Sequence, residues 1–316
     1  MEDISEPIEG QVPQGQYRFK TTPSDLKSIE HGWIILQTID NEKEFEVEAS
    51  FLYCANLDDA RNVHKNLLRL KGERFLRSHF IIERKEGIWV AVEKIEYSLE
   101  DYKNLHRFSL VDPEARLPPN YQLIIRDIIM GLCQIHQQEL IHGNFSSKHI
   151  MIIKDRAKFG FITSRNYDSG DSDLTKLKEI FADVLGRIPN HVELMHFHES
   201  AKTNHWRNLQ KLYFHPLLMS SGERFLLPIR ADTRLRYREA GIKQQISNFK
   251  NLFHTEPRWR IVVSNRQDCY LKVLQGRAEE MERAEEIRYH EDAWALFKFV
   301  RNAIVHINKN IHKENE

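Results

Sequence analysis

Four side chains near the C-terminus have types that can carry out acid–base chemistry on a phosphodiester: Tyr289, Arg301, Asn302 and His306. A histidine can transfer protons near neutral pH, and an arginine can stabilise the negative charge of a phosphorane. A phenol, a guanidinium, a carboxamide and an imidazole are therefore brought together within residues 289–308. This chemistry requires neither a cysteine nor a pair of carboxylates.

The same segment has the pattern of one amphipathic helix, because apolar residues recur three or four positions apart: Ala293, Phe297, Val300 and Ile304. Lys298, Asn302 and His306 recur at i+4 and predict a polar stripe on another face. Arg301 flanks this stripe, and Tyr289 lies just upstream. The pattern also fits the solvated face of an ordinary terminal helix, and by itself it does not separate the two interpretations.

Composition narrows the class of protein. The chain has 316 residues, 41% of them apolar and 29% charged, which is typical of a soluble globular protein with two or three packed units. The formal net charge is zero, so no overall field favours a nucleic acid or a membrane. Cys54, Cys133 and Cys269 fit neither a disulfide framework nor a zinc site. The first residues lack a secretory signal, and no apolar run approaches the ~20 residues of a membrane span. The cysteines indicate a reducing compartment, cytosolic or nuclear, and we expect a cytoplasmic protein with no membrane partner.

The first part of the chain predicts strands. Residues 1–25 are polar with little periodicity and are interpreted as a mobile tail. After Gly32, apolar alternation predicts two strands, a helix over 57–71 and two more strands. This order predicts a small mixed sheet.

The second part is mostly helical. Residues 121–137 place isoleucines and leucines at helical spacing and predict a deeply buried helix. Two short apolar runs on either side of Lys154 predict a hairpin. A further helix is predicted to begin near Ser172 or Asp173, with one of these residues as its N-cap.

This order of elements resembles a protein kinase. The resemblance implies a small lobe at 26–98, a hinge at 93–102 and a helical lobe at 99–220. The sequence WRNLQKLYFHPLL at 206–218 is similar to the end of a kinase large lobe. A bilobal α+β fold is therefore expected.

The residues that a kinase uses are replaced. A kinase requires a catalytic Asp and Asn, a magnesium-binding Asp, and a lysine paired with a glutamate. The corresponding positions here carry Ser50, His64, Asn144, Ser146, His149 and Phe161. The resemblance thus implies a pseudokinase without phosphoryl transfer and makes ATP or ADP binding doubtful. The alternative is a kinase that uses substitute residues.

A kinase-like fold followed directly by residues 221–316 resembles the family of ribonuclease L and the unfolded-protein-response sensors, whose kinase-extension nuclease (KEN) domain is fused in this way. The resemblance is strongest at Phe299-Val300-Arg301-Asn302 and His306-Ile307. It implies that Tyr289, Arg301, Asn302 and His306 form a ribonuclease centre. The chain ends ten residues after His306, whereas KEN domains of the family continue, so a C-terminally shortened, all-α domain is expected.

The resemblance also implies a reaction and partners. RNA would be cleaved by attack of its own 2′-OH without a metal or other cofactor, which excludes DNA as the substrate. Family nucleases work as back-to-back dimers, so a homodimer or heterodimer through the kinase-like and KEN domains is expected. The alternative is a catalytically silent regulator that binds a partner or an active relative.

Other candidates are weaker. Residues 221–316 contain 18 Lys and Arg against 14 Asp and Glu, which is compatible with RNA. Arg230, Arg234 and Arg238 at i, i+4 and i+8 fit either phosphate contacts or a solvated stripe. Trp259 is suited to stacking on a base, but burial as an anchor between the extension and the scaffold is the better interpretation. A histidine cluster suggests a metal, but no cysteine or HExxH spacing supports it: His191, His196, His198 and His205.

Overall fold

The computed structural model describes most of the first 227 residues, in these ranges: 9–12, 15–19, 28–37, 44–84, 87–106, 116–143, 145–163, 171–186, 191–202, 206–224 and 226–227. The chain divides into two compact units, Met1–Met219 and Ser220–Glu316. Almost all of the predicted extension, 221–316, lies outside the described residues, so its all-α fold stays a prediction. The first unit is described below.

The described residues contain nine strands: β1 (Glu9–Val12), β2 (Gly15–Phe19), β3 (Ile29–Gln37), β4 (Glu44–Cys54), β5 (Ser78–Arg84), β6 (Gly87–Glu93), β7 (Tyr97–Ser98), β8 (Ile150–Ile153) and β9 (Arg156–Phe159). Six of them form a sheet in the order β1-β2-β3-β4-β6-β5, and the last three form a second sheet in sequence order. Each of these pairings is antiparallel. The predicted mixed sheet is therefore wrong: β6 inserts between β4 and β5 and runs antiparallel to both.

Strands β1 and β2 lie within the stretch interpreted as a mobile tail, 1–25. β1 pairs with β2 between Glu9↔Arg18 and Val12↔Gly15, and β2 pairs with β3 from Gln16 to Phe19. The interpretation is corrected for these two strands. Hydrophobic alternation missed them because they are only four and five residues long.

The six-stranded sheet curls. Arg84 of β5 lies 5.6 Å from the centre of the Tyr17 ring of β2, although three strands separate β5 from β2 in the sheet order. Curling closes one face over a small core that contains Phe51 and Trp89. Gly32 of β3 permits the close approach of β2, since a Cβ at this position would lie 1.9 Å from the carbonyl oxygen of Arg18.

Six α-helices lie in the described residues of the first unit: α1 (Leu57–Arg69), α2 (Leu99–Leu105), α3 (Pro119–Gln137), α4 (Asp171–Leu185), α5 (Val192–Ser200) and α6 (Trp206–Leu212). α1 begins where the Asn56 side chain accepts a hydrogen bond from the Asp59 N–H at 2.8 Å. α3 begins with Pro119. Proline lacks an N–H group, and this loss costs little in the first turn of a helix, where an N–H has no acceptor within the helix. None of the helices in this part of the chain combines the length and apolar character needed to cross a membrane.

One continuous hydrophobic core joins the sheet to the helices. α3 lies at its centre with Ile124, Ile125, Ile128 and Ile129 fully buried. Leu52 and Val90 reach this core from the sheet. Residues of both predicted lobes therefore share one core, and the described part of the first unit has an α+β fold.

Polar bonds connect the same elements. The Leu76 N–H donates to the Phe159 carbonyl at 3.0 Å, and the Phe159 N–H donates to the Arg74 carbonyl at 2.8 Å. Arg156 of β9 donates two hydrogen bonds to Asp127 of α3, at 2.6 and 2.8 Å. This bidentate geometry is the strong form of an ion pair.

The predicted hairpin is confirmed: β8 and β9 pair from Ile150↔Phe159 to Ile153↔Arg156. Lys154 and Asp155 make the turn with φ of 52° and 57°, as a two-residue hairpin turn requires. The Asp155 carboxylate accepts a hydrogen bond from the Tyr102 hydroxyl at 2.6 Å. This bond holds the turn against α2.

Gly131→Ala should destabilise the first unit, although alanine favours a helix over glycine by about 1 kcal/mol. A Cβ at Gly131 would lie 2.3 Å from Cε2 of Phe159, and relieving such a contact in a packed core costs about 1–3 kcal/mol. Urea denaturation measures the difference. Gly222→Ala is the control, because open space surrounds that position; equal midpoints for the two variants would contradict the packing argument.

Candidate functional site

Ser50 occupies the position predicted to correspond to the phosphate-binding lysine of a kinase. It lies on β4 with its side chain fully buried. Its Oγ accepts a hydrogen bond from the Ile95 N–H at 2.9 Å and lies 3.1 Å from Nδ1 of His31. Ser50 therefore ties β4 to β3 and to the segment after β6, and its neutral hydroxyl brings no positive charge to a phosphate.

His64 occupies the position predicted for the glutamate partner of that lysine. It lies on α1, and its Nδ1 is 2.7 Å from Oγ of Ser78. Burial lowers the pKa of His64. A hydrogen bond between a neutral imidazole and a hydroxyl thus connects α1 to β5. Phosphoryl transfer in a kinase would instead need an ion pair from this helix to β4.

The loop that follows α3 is held by a buried carboxylate. Asp173 of α4 accepts hydrogen bonds from the N–H groups of His142, at 2.7 Å, and Gly143, at 3.3 Å. Nε2 of His136 lies 3.2 Å from the same carboxylate. Burial alone would raise the pKa of Asp173, but the hydrogen bonds from His136 and His142 outweigh it and lower the pKa.

The sequence predicts Asp173, as an alternative to Ser172, to be the N-cap of its helix. This is corrected: α4 starts at Asp171, so both residues lie inside the helix. Asp173 shares a helical stripe with Leu177 and Ile180, which are also buried. A carboxylate on an apolar stripe is the signal that would have identified it as a buried anchor.

His142 lies at the centre of the loop and is fully buried. Among the described residues, neither of its ring nitrogens makes a hydrogen bond of ordinary geometry, although backbone groups of Gly160 and of His142 itself act on the ring. Its ring packs against Phe145 and Phe159, at centroid distances of 5.3 and 5.9 Å, and stacks on His149 at 6.2 Å. Burial lowers the pKa of His142 to about 4, against an opposing effect of Asp173.

His149 and Phe161 occupy the positions predicted for the two magnesium ligands of a kinase. Nδ1 of His149 lies 3.1 Å from Oγ of Ser146. The His149 ring packs on Phe161 at 4.9 Å, and Phe161 has a φ of 55°. A left-handed phenylalanine is uncommon, and packing of its buried ring stabilises it here. Asn144, the predicted replacement for the catalytic Asp, lies outside the described residues.

The described degenerate positions therefore provide neutral hydrogen bonds and ring contacts. None of Ser50, His64, Ser146, His149 and Phe161 is acidic. Over the ranges that the structure describes, no three His, Cys, Asp or Glu side chains are grouped to hold a metal ion. These hydrogen bonds and ring contacts stabilise the loop and the sheet.

The predicted histidine cluster performs three separate tasks. His191 is the N-cap of α5 and accepts a hydrogen bond from the Leu194 N–H at 3.1 Å. Nδ1 of His196 lies 2.7 Å from Nε2 of His215, and His198 donates from Nε2 to the Gly186 carbonyl at 2.9 Å. The fourth histidine, His205, lies outside the described residues.

The residues predicted to cleave RNA also lie outside the described residues: Tyr289, Arg301, Asn302 and His306. The same is true of the candidates for RNA contact: Arg230, Arg234, Arg238 and Trp259. A scan of the chain against models of known protein families gave no match, and a search of curated proteins gave none either. The ribonuclease centre therefore stays a prediction from the sequence.

Asp173→Asn should lower the free energy of unfolding at pH 7 by about 3 kcal/mol, since it removes the charge that the buried N–H groups stabilise. An amide also directs an N–H group toward one of these donors. Chemical denaturation measures the loss. Asp183→Asn, on the exposed side of the same helix, is the control and should cost less than about 1 kcal/mol; comparable losses would contradict the anchoring role.

The burial of His142 predicts that stability falls as the pH is lowered from 6.5 toward 4. The folded state keeps His142 neutral in this window, whereas the unfolded state binds a proton. At pH 5 the loss is about 2 kcal/mol relative to pH 7.5, for a pKa that falls from 6.5 to about 4. His142→Phe should remove this part of the pH dependence, measured by urea denaturation at both pH values. An unchanged pH slope in the variant would contradict the assignment.

Proposed function

We propose that the chain is a metal-independent endoribonuclease whose first unit is a catalytically inactive, kinase-like scaffold. The observation that carries the proposal is the set Tyr289, Arg301, Asn302 and His306, at the spacing of the KEN nuclease motif. The substrate is structured or single-stranded RNA, and no cofactor is required. DNA lacks the attacking 2′-OH and is not a substrate.

Each of the four side chains has a task in this reaction. His306 moves the proton of the 2′-OH or of the 5′-oxygen, and Tyr289 makes the complementary proton transfer or holds the phosphate. Arg301 stabilises the charge of the phosphorane, and Asn302 orients the phosphate. The products are a 2′,3′-cyclic phosphate and a 5′-hydroxyl.

The described unit supports the scaffold part of the proposal. An antiparallel sheet with one helix, a segment at 94–98 within the predicted hinge at 93–102, and a mostly helical layer are compatible with the predicted small lobe, hinge and helical lobe. Ser50, His64 and Phe161 stand where phosphoryl transfer would need charged groups. On this proposal the scaffold supports dimerisation in the cytoplasm and leaves chemistry to the all-α KEN domain at 221–316.

A catalytically silent regulator is the second candidate. The observation that favours it is the described unit itself, which is densely packed and has no acidic residue at the five described degenerate positions. A scaffold of this kind would bind a partner, or an active relative, through the kinase-like and KEN domains. The two candidates differ in whether the purified chain cleaves RNA.

The test incubates the full chain with an end-labelled stem-loop RNA, in EDTA and without ATP, over a series of protein concentrations. The nuclease proposal expects cleavage that rises more steeply than linearly with concentration, because dimers are the active form. Fragments should end in cyclic phosphate. RNA with a 2′-deoxy residue at the cleaved position should remain intact.

His306→Ala should reduce the cleavage rate at least a thousandfold, while His312→Ala, a control six residues away, should change it less than threefold. Both variants should keep the melting temperature of the wild type. RNA that stays intact with the wild-type chain at every concentration would contradict the nuclease and favour the regulator. Equal cleavage by His306→Ala and the wild type would contradict the assignment of the site.

A further inference from the structure

A cavity of about 470 Å³ lies beside the C-terminal end of α1. The end of α1, the connection from α1 to β5, and residues of β6 and β9 form its walls. Its volume is within the range of small-molecule sites in proteins. None of the described degenerate kinase-like positions lines it, although Ser78, the hydrogen-bond partner of His64, does.

One part of the cavity wall is apolar. Leu67, Phe75 and Leu76 line it and belong to the main hydrophobic core. Leu68 also lines it, and 48% of this side chain is exposed. Core side chains fix the shape of this wall, while Leu68 leaves apolar surface open to a ligand.

The cavity is lined by more cationic than acidic side chains. Glu93 and Lys158 line it and neutralise each other in an ion pair of 2.7 Å, with both side chains largely buried. Glu73 also lines it, and its charge acts on Arg156.

Two further lining residues, Lys71 and Arg77, are cationic. Within the described part of the chain, no carboxylate pairs with the side chain of either residue. With the Glu93–Lys158 pair set aside, two cations and one carboxylate, Glu73, therefore stand beside an exposed leucine and a preformed apolar wall, a surplus of one positive charge.

We propose that this cavity is a binding site for a small amphipathic anion, with an aromatic or aliphatic body and one carboxylate, sulfonate or phosphate group. The apolar body would cover Leu68 and the wall formed by Leu67, Phe75 and Leu76. The anionic group would lie beside Lys71 and Arg77, which outnumber Glu73, the lining carboxylate outside the Glu93–Lys158 ion pair. This site does not depend on the ribonuclease proposal.

The direction of α1 works against an anion at this position. Lys71 lies two residues beyond the end of α1, whose last carbonyl groups repel an anion. An anion therefore needs the side chains of Lys71 and Arg77 rather than the helix end itself. The site should consequently be sensitive to these two charges.

The test titrates the full chain with 8-anilinonaphthalene-1-sulfonate, which has an aromatic body and one anionic group, and with its uncharged counterpart N-phenyl-1-naphthylamine. Fluorescence gives the affinity, and isothermal titration gives the stoichiometry. The wild type should bind the sulfonate at one site per chain. Lys71→Glu/Arg77→Glu should weaken the sulfonate at least tenfold and the uncharged probe less than twofold.

Arg61→Glu/Lys65→Glu is the matched control, because it makes the same change of charge at exposed positions of α1 that do not line the cavity. It should change either affinity less than twofold. Leu68→Asp should weaken both probes, and circular dichroism melts check that each variant is folded. Equal weakening by the two double variants, or sulfonate binding that neither Lys71→Glu/Arg77→Glu nor Leu68→Asp alters, would overturn the proposal.

Discussion

The buried carboxylate of Asp173 is the interaction on which the helical part of the unit depends. Removing an isolated carboxylate from water costs several kcal/mol, and this cost is offset only where donors surround it. Here the bonds join three elements: Asp173 itself belongs to α4, His136 to α3, and the N–H groups of His142 and Gly143 to the loop between them. No one of these elements can move without leaving a buried charge unsatisfied.

The other elements of the unit pack around α3 or are bonded to it. Its isoleucines form the centre of the main core, and its Asp127 binds Arg156 of β9. β9 in turn exchanges backbone hydrogen bonds with residues 74–76, next to the sheet. The degenerate positions are thus held in place by packing and neutral hydrogen bonds. Because of these contacts, the fold keeps its shape without charged groups at those positions.

Elements with a long periodic pattern could be predicted from the sequence. α1, α3 and the hairpin of β8 and β9 lie within a few residues of their predicted positions. β1 and β2 could not be predicted, because four or five residues carry too little alternation. Propensity near a helix start favours Asp173 as a cap, whereas its burial depends on tertiary contacts that the local sequence does not contain. The predicted nuclease residues fall outside the described residues, so the sequence motif alone supports them.

The attachment of α1 has a mechanical consequence. Asn66 donates to the Ile162 carbonyl at 2.8 Å, and Arg69 donates to the Gln138 carbonyl at 2.9 Å. Two partners far apart in sequence therefore hold the same end of this helix. Moving this end of α1 away from the unit would break both hydrogen bonds and expose the Asn66 side chain, which is buried. We expect the amide hydrogens at this end of α1 to exchange more slowly than those of a helix end held by one contact.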